Sequence, residues 1–143
     1  MEKSVQNRVV YISGPHGSGK STLVRRLSEF SQDLLIQEQI AHLESLQEMV
    51  QRCIWRTALH AIEHRLNLEK AAKSPHQVII GDRCYFDDMM YWRAFLQLKW
   101  ITKEQFRGFN QLTEATYKLT NTPVPLKIIL LAPPYDWNMA RVN

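Results

Sequence analysis

Four short runs of apolar residues along the chain predict β-strands. They cover residues 9–12, 34–36, 78–80 and 128–132, and valine and isoleucine, which favour strands, recur in them. The runs are apolar throughout instead of alternating, so the strands are expected to be covered on both faces. That arrangement is typical of a parallel sheet with crossover helices.

Apolar residues at helical spacing fill the segments between the predicted strands. The spacing predicts helices over residues 23–30, from about residue 40 to residue 72, and over residues 86–98. Residues 135–141 are expected to open a further helix. Strand-like and helix-like segments therefore alternate along the whole chain.

One further helix has a clear start. Thr102 and Gln105 have the spacing of a capping box, and Ile101 and Phe106 stand where a hydrophobic staple needs apolar residues. The sequence Asn-Thr-Pro at residues 121–123 marks the end of this helix. The pattern predicts a helix that begins just after Thr102.

The alternation defines the fold class as α/β, with a doubly wound parallel sheet of about four strands. No repeat, linker or low-complexity segment interrupts it, so residues 1–143 are interpreted as a single domain. A chain of 143 residues with 45% hydrophobic and 22% charged residues can bury a core. This composition excludes a disordered tail or a fibrous repeat.

Location and partner class follow from what the sequence lacks. The longest apolar run is far shorter than the ~20 residues that cross a bilayer, and the first residues are too polar for a secretory signal. Cys53 and Cys84 form neither a disulfide framework nor a zinc pattern, so we expect an intracellular, cytoplasmic protein. The net charge of +4 is spread among acidic residues. We therefore expect no nucleic-acid or membrane partner, and small anionic ligands such as nucleotides.

A glycine-rich motif follows the first predicted strand and opens the first helix. Residues 14–21 match the pattern G-x-x-x-x-G-K-[ST], in the strand–loop–helix context that makes the match specific. Glycines let backbone N–H groups approach phosphate oxygens, Lys20 would reach the β- and γ-phosphates of ATP, and Ser21 would bind Mg²⁺. The residues expected at the ATP phosphates are Gly14, His16, Gly17, Ser18, Gly19, Lys20, Ser21 and Thr22.

Two charged residues end the third predicted strand. Open parallel sheets bind ligands at the carboxyl ends of their strands, so Asp82 is placed to hold Mg²⁺. Arg83 can donate to phosphoryl oxygens as charge develops on them. Asp87 and Asp88, which follow, are expected to be solvated acids at a helix start and receive no chemical role.

Glu38 is a further candidate, just after the second predicted strand. Its carboxylate could accept the proton of a substrate hydroxyl that attacks the γ-phosphate. The alternative, a surface glutamate in the turn before a helix, stays open at this point.

Two of these segments resemble one family. Residues 10–22 look very like the P-loop of herpesvirus-type thymidine kinases and are similar to that of cellular deoxynucleoside kinases. Residues 80–92 resemble the Asp-Arg motif and the helix after it in the same superfamily, and the resemblance extends in order over nearly the whole chain. It implies a P-loop kinase fold and transfer of the ATP γ-phosphate to the 5′-hydroxyl of a deoxynucleoside such as thymidine. In the thymidylate kinase branch, the acceptor is a nucleoside monophosphate.

The resemblance also implies residue roles. Lys20, Glu38 and Arg83 match the family's P-loop lysine, general base and acceptor-side arginine. The resemblance also implies that the long helix supplies residues that bind the base, and Trp55 and His60 are candidates for this role. Tyr91 is a further candidate for substrate binding, because thymidylate kinases have a tyrosine at its position.

The chain departs from the family at three places. Gln39 stands where a proline usually follows the base, and His16 stands where thymidylate kinases tend to have an acid. The arginine-bearing LID and the last strand are expected to be missing, so activity would be reduced or lost. A non-catalytic nucleotide-binding remnant is therefore an alternative, and the sheet edge exposed by a missing strand invites a homodimer.

Overall fold

The computed structural model describes residues 2–15, 17–37, 48–134 and 136. Its single sheet contains the strands β1 (Val9–Ser13), β2 (Leu34–Ile36), β3 (Val78–Asp82) and β4 (Lys127–Leu130). The order in the sheet is β2-β3-β1-β4, and all three pairings are parallel. The predicted fold class, α/β with a parallel sheet of about four strands, is confirmed.

Five helices are described. They are α1 (Lys3–Gln6), α2 (Lys20–Phe30), α3 (Met49–Lys73), α4 (Tyr85–Gln97) and α5 (Lys103–Leu119). The helices predicted over residues 23–30 and 86–98 agree with α2 and α4 to within a few residues at each end. The predicted start of the long helix near residue 40 lies outside the described residues, as does nearly all of the helix predicted over 135–141. The single-turn α1 was not predicted. No helix in the described ranges combines the length and the apolar character that crossing a bilayer requires.

The contacts of the chain divide it into two compact units. The first consists of Met1–Gln37, Asn67–Cys84 and Pro125–Asn143, and the second of Glu38–Leu66 and Tyr85–Val124. The first unit contains the sheet and α2, whereas the second contains most of α3 with α4 and α5. That the whole chain is one domain stays a prediction.

The core of the first unit lies between α2 and one face of the sheet. Val24 of α2 is buried against Ile12 of β1 and Ile80 of β3, and the outer positions of the same cluster are half-buried. Successive strand residues point to opposite faces, so Tyr11 and Gly81, which are paired in the register, lie on the other face.

The fourth strand corrects one expectation. Its residues are exposed, with Ile129 at 48% and Leu130 at 68% of their full surface, so the described part of the chain does not cover both faces of β4. It occupies one end of the strand order, where it pairs with β1. Burial on both faces is a property of the two central strands, and a run of apolar residues alone does not reveal which strands are central.

The core of the second unit is formed by α3, α4 and α5. Cys53, Trp92, Ile101 and Phe109 are buried together, and the rings of Trp92 and Phe109 stack at 5.1 Å between centroids. The predicted capping box is present: Thr102 Oγ1 accepts from the Gln105 N–H at 3.1 Å, and Gln105 Oε1 accepts from the Thr102 N–H at 2.9 Å. Cys53 and Cys84 are both buried and do not form a disulfide with each other. Burial raises the pKa of the Cys53 thiol.

Candidate nucleotide site

The loop between β1 and α2 depends on glycine. Gly14, Gly17 and Gly19 have φ angles of 149°, 78° and 92°, which other residues adopt only with strain. A Cβ atom on Gly14 would also stand 2.5 Å from the Leu131 carbonyl oxygen. The glycines are therefore required by the path of the backbone. His16, another predicted phosphate contact in this loop, lies outside the described residues.

Lys20 is the first residue of α2 and is buried. Its Nζ donates to the carbonyl oxygens of Gly14 at 2.8 Å and Pro15 at 2.7 Å, and it lies 3.4 Å from Ser18 Oγ. The ammonium group is thus held against the loop, beside the positive end of the α2 dipole. Both features favour an anion at this place.

The sheet brings Asp82 to the start of α2. β3 lies next to β1, with Ile12 and Asp82 paired in the register. Ser21 Oγ donates to Asp82 Oδ2 at 3.3 Å. Mg²⁺ prefers hard oxygen ligands and is usually held by one or two side chains together with phosphate oxygens. This hydroxyl–carboxylate pair fits that requirement.

Arg83, the residue after Asp82, has a strained backbone. Its φ of 69° is left-handed, which costs about 1–2 kcal/mol for a residue with a Cβ. Its N–H donates to the Ile12 carbonyl at 3.0 Å, so the turn is fixed to β1. The sequence did not reveal this conformation.

These groups surround one cavity of about 360 Å³. It is lined by Gly17, Gly19, Lys20, Ser21, Thr22, Asp82 and Arg83. Four side chains that were singled out from separate parts of the sequence, Lys20, Ser21, Asp82 and Arg83, therefore share one pocket. Its glycine-lined floor, ammonium and carboxylate can hold a polyphosphate with its metal ion, and the guanidinium at the same cavity can offset charge that develops on a phosphoryl group during transfer.

The predicted base-binding residues lie in the second unit and differ in their exposure and in their contacts. Trp55 is 53% exposed, so it is not a core residue. Tyr91 is half-buried beside Phe95, with ring centroids 6.1 Å apart. His60 is paired with an acid, as described next. Glu38, the predicted general base, lies outside the described residues.

Asp87 and Asp88 correct a second expectation, because both are buried rather than solvated. Asp88 is only 2% exposed, and its Oδ2 lies 2.6 Å from His60 Nδ1. Arg56 Nε lies 3.9 Å from Asp88 Oδ1. Arg56 and His60 are one turn apart on α3, so they present two polar groups to the same carboxylate. Sequence reasoning missed this cluster, because nothing local distinguishes a buried acid in the first turn of a helix from a solvated one.

A strand, a glycine loop and a helix that begins with Lys20, next to a strand that ends in Asp82, define a P-loop nucleotide-binding protein. A family model described as an AAA domain matches residues 9–120, and the chain belongs to this family of P-loop NTPases.

The fold is that of P-loop deoxynucleoside kinases. The chain is similar to the structure of deoxyadenosine kinase from M. mycoides with bound dATP, with a TM-score of 0.64 and 16% sequence identity. The match covers 93% of this chain and 69% of that chain. No curated protein matches the sequence.

Proposed function

We propose that the chain transfers the γ-phosphoryl group of ATP to the 5′-hydroxyl of a nucleoside or deoxynucleoside such as thymidine. The observation that carries the proposal is the cavity that unites Lys20, Ser21, Asp82 and Arg83. Phosphoryl transfer depends on positioning and on neutralising charge, and these residues provide both.

On the donor side, the glycine loop and Lys20 hold the phosphates of ATP. The predicted contacts at His16, Ser18 and Thr22 complete this set. Ser21 and Asp82 hold Mg²⁺, which supplies positive charge at the phosphate oxygens. The 3.3 Å separation of the Ser21 hydroxyl and the Asp82 carboxylate supports this assignment.

On the acceptor side, Arg83 offsets the charge of the moving phosphoryl group. The 5′-oxygen forms a bond to the γ-phosphorus as the bond to the β-phosphate oxygen breaks, and the hydroxyl proton goes to Glu38 as general base. Transient stabilisation of this kind explains why a strained backbone is tolerated at Arg83.

Base recognition is proposed for residues of α3 and α4. We propose that His60 contacts the base with its orientation fixed by Asp88, and that Trp55 and Tyr91 supply aromatic surface. The short His60–Asp88 distance of 2.6 Å supports the first part, since a buried carboxylate fixes both the ring and its tautomer.

The test uses [γ-³²P]ATP with Mg²⁺ and a panel of acceptors: thymidine, deoxyadenosine, the other deoxynucleosides and their ribose counterparts. A labelled nucleoside monophosphate is expected from at least one of them. The same panel of 5′-monophosphates tests the thymidylate kinase alternative, which predicts labelled diphosphates instead.

Two other outcomes would contradict the proposal. Binding of Mg-ATP in calorimetry without transfer to any acceptor would identify a non-catalytic nucleotide-binding module. Release of labelled phosphate without any acceptor would identify an ATPase. We further propose a cytoplasmic location, in the host cell if the chain is viral, because ATP is maintained there and the two cysteines form no disulfide. A homodimer remains a proposal to be tested by its mass in solution.

A further inference from the structure

The helix α5 has a buried face and an exposed face. Phe109, Thr113 and Tyr117 are buried on the first face. On the second face, exposed residues recur at alternating spacings of four and three, so they form one row along the helix. This row is the outer face of α5, and its members are Glu104, Gly108, Gln111, Ala115 and Lys118.

Gly108 stands in the interior of α5 although no described neighbour requires a glycine there. A Cβ atom at this position would meet no described atom within 4 Å. Glycine inside a helix is less stable than alanine, and it is useful where another group must approach the backbone closely. Ala115, on the same face, is also small and exposed. The outer face of α5 therefore lets a second helix come close.

The charges along this face and its edge reverse their sign about Gln111. Before Gln111, the acid Glu104 is followed one turn later by the base Arg107. After Gln111, the acid Glu114 is followed one turn later by the base Lys118. An antiparallel copy of the helix centred on Gln111 would bring Glu104 opposite Lys118, and Arg107 opposite Glu114. Parallel pairing in register would instead bring like charges together, which is unfavourable.

Two of these charges already interact within the helix. Lys118 Nζ lies 2.7 Å from Glu114 Oε1, yet the two side chains are 74% and 67% exposed. A carboxylate accepts more than one hydrogen bond and an ammonium group donates three, so each of them can bind a second partner. Glu104 and Arg107 of a second copy would provide these partners.

The centre of the face is also complementary to itself. A two-fold axis at Gln111 brings its amide, which both donates and accepts, next to the same amide of the second copy. Gly108 then faces Ala115 of the second copy, so the backbones can pack closely. Leu112, half-buried beside the row, adds apolar surface next to the axis.

We infer that two copies of this chain associate through the outer face of α5, antiparallel and with a two-fold axis at Gln111. The inference gives the proposed homodimer an interface and does not rest on the proposed kinase activity. A single helix pair with charged ends forms a small contact, so association is weak and decreases with salt. Each copy has its own Lys20 and Asp82, so we expect phosphoryl transfer to be independent of dimer formation.

Cysteine cross-linking tests the position of the axis. Gln111→Cys would bring the thiols of two copies within disulfide range, so mild oxidation should give a covalent dimer. Glu104→Cys is the matched control on the same face, because its two thiols would lie about 21 Å apart along antiparallel helices. It should not form a covalent dimer alone, but a mixture with Lys118→Cys should. The native cysteines, Cys53 and Cys84, are both buried.

Charge reversal tests the pairing of charges. Sedimentation at low salt over a range of protein concentrations measures the Kd of the dimer. Arg107→Glu places acids together and should raise this Kd about 10-fold or more. Adding Glu114→Arg reverses the pair and should return the Kd to within about 3-fold of the wild-type value. Arg93→Glu makes the same charge change at an exposed position of α4 and should leave the Kd unchanged.

Three outcomes would overturn the inference. A wild-type protein that remains monomeric at every concentration would refute both the homodimer and this interface. Equal Kd values for Arg107→Glu and Arg93→Glu, or equal cross-linking of Gln111→Cys and Glu104→Cys, would refute the interface alone. If Arg107→Glu fails to fold, the cross-linking comparison still decides. Absence of phosphoryl transfer in the wild-type protein would count against the proposed function only.

Discussion

Asp82 and Asp88 belong to the same stretch of chain, yet the structure uses them in opposite ways. Asp82 ends β3, is exposed to the cavity beside the glycine loop and accepts from Ser21. Asp88 lies in the first turn of α4, is buried and is paired with His60. The first is therefore available to a ligand, and the second fixes other side chains. An acid's environment, more than its place in a motif, decides its role.

The two regions also differ in how they are built. The cavity beside the glycine loop is shaped largely by main chain, at glycines with positive φ and a helix N-terminus. The Asp88 cluster is made of side chains from separate helices. Residues of the cavity should therefore affect activity more than stability, and the Asp88 cluster should show the reverse.

The largest expected effect comes from the two cations of the cavity. Arg83→Ala should leave ATP affinity unchanged and lower the transfer rate by about 10³-fold or more, since it removes charge needed at the moving phosphoryl group. Lys20→Ala should weaken ATP binding as well as abolish transfer, because the phosphates lose their counter-charge. ATP titration by calorimetry and a radiolabel transfer assay check both variants. Lys118→Ala, which removes an exposed lysine paired with Glu114, is the control. Equal effects on ATP affinity in the two variants would contradict this division of roles.

The second prediction replaces each of the two acids by asparagine, one at a time. Asp82→Asn should lower the transfer rate by about 10²-fold through loss of the metal ligand, with the free energy of unfolding changed by less than about 0.5 kcal/mol. Asp88→Asn should lower the free energy of unfolding by about 2–3 kcal/mol, because a buried charged hydrogen bond is lost. Urea unfolding and the transfer assay, run on both variants, give the four values. A loss of stability in Asp82→Asn that equals the loss in Asp88→Asn would contradict the comparison.

The smallest effect is a pH dependence in the second unit. Burial lowers the pKa of His64 from its ordinary 6.5 to about 4, although a hydrogen bond to the Pro123 backbone opposes the shift. The unfolded chain therefore binds a proton that the folded chain does not, and stability present above pH 6.5 is lost as the pH falls toward 4. The loss from His64 is about 1 kcal/mol at pH 5.5. Urea unfolding at pH 7.5 and 5.5 should show this decrease in the wild type and in His76→Gln, an exposed control, but not in His64→Gln.

Much of the fold could be predicted from local pattern. The strands, the start of α5 and the phosphate loop each depend on neighbouring residues: an apolar run, a capping box, or glycines before a lysine. Local patterns are reliable because the interactions that they encode form within one turn or one loop.

The remaining features depend on contacts between distant segments. The burial of Asp88 requires His60 and Arg56 from another helix, and the exposure of β4 depends on its place at the end of the strand order. Asn67 donates to the Tyr11 hydroxyl and to the Gln37 amide oxygen, which joins three segments, and the single local sign of these contacts was a glycine in a strand, Gly81. Patterns along one segment contain no information about partners elsewhere in the chain.

The left-handed backbone at Arg83 has a consequence for comparing natural variants. Glycine or asparagine would adopt this conformation at lower cost, so drift without selection for phosphoryl transfer should replace arginine by one of them. We expect homologues that keep glycine–lysine–serine in the loop but have glycine after the strand-end acid to be lineages that retain ATP without phosphorylating a substrate. The residue at this one position would then distinguish homologues that only bind ATP from homologues that also transfer its phosphoryl group.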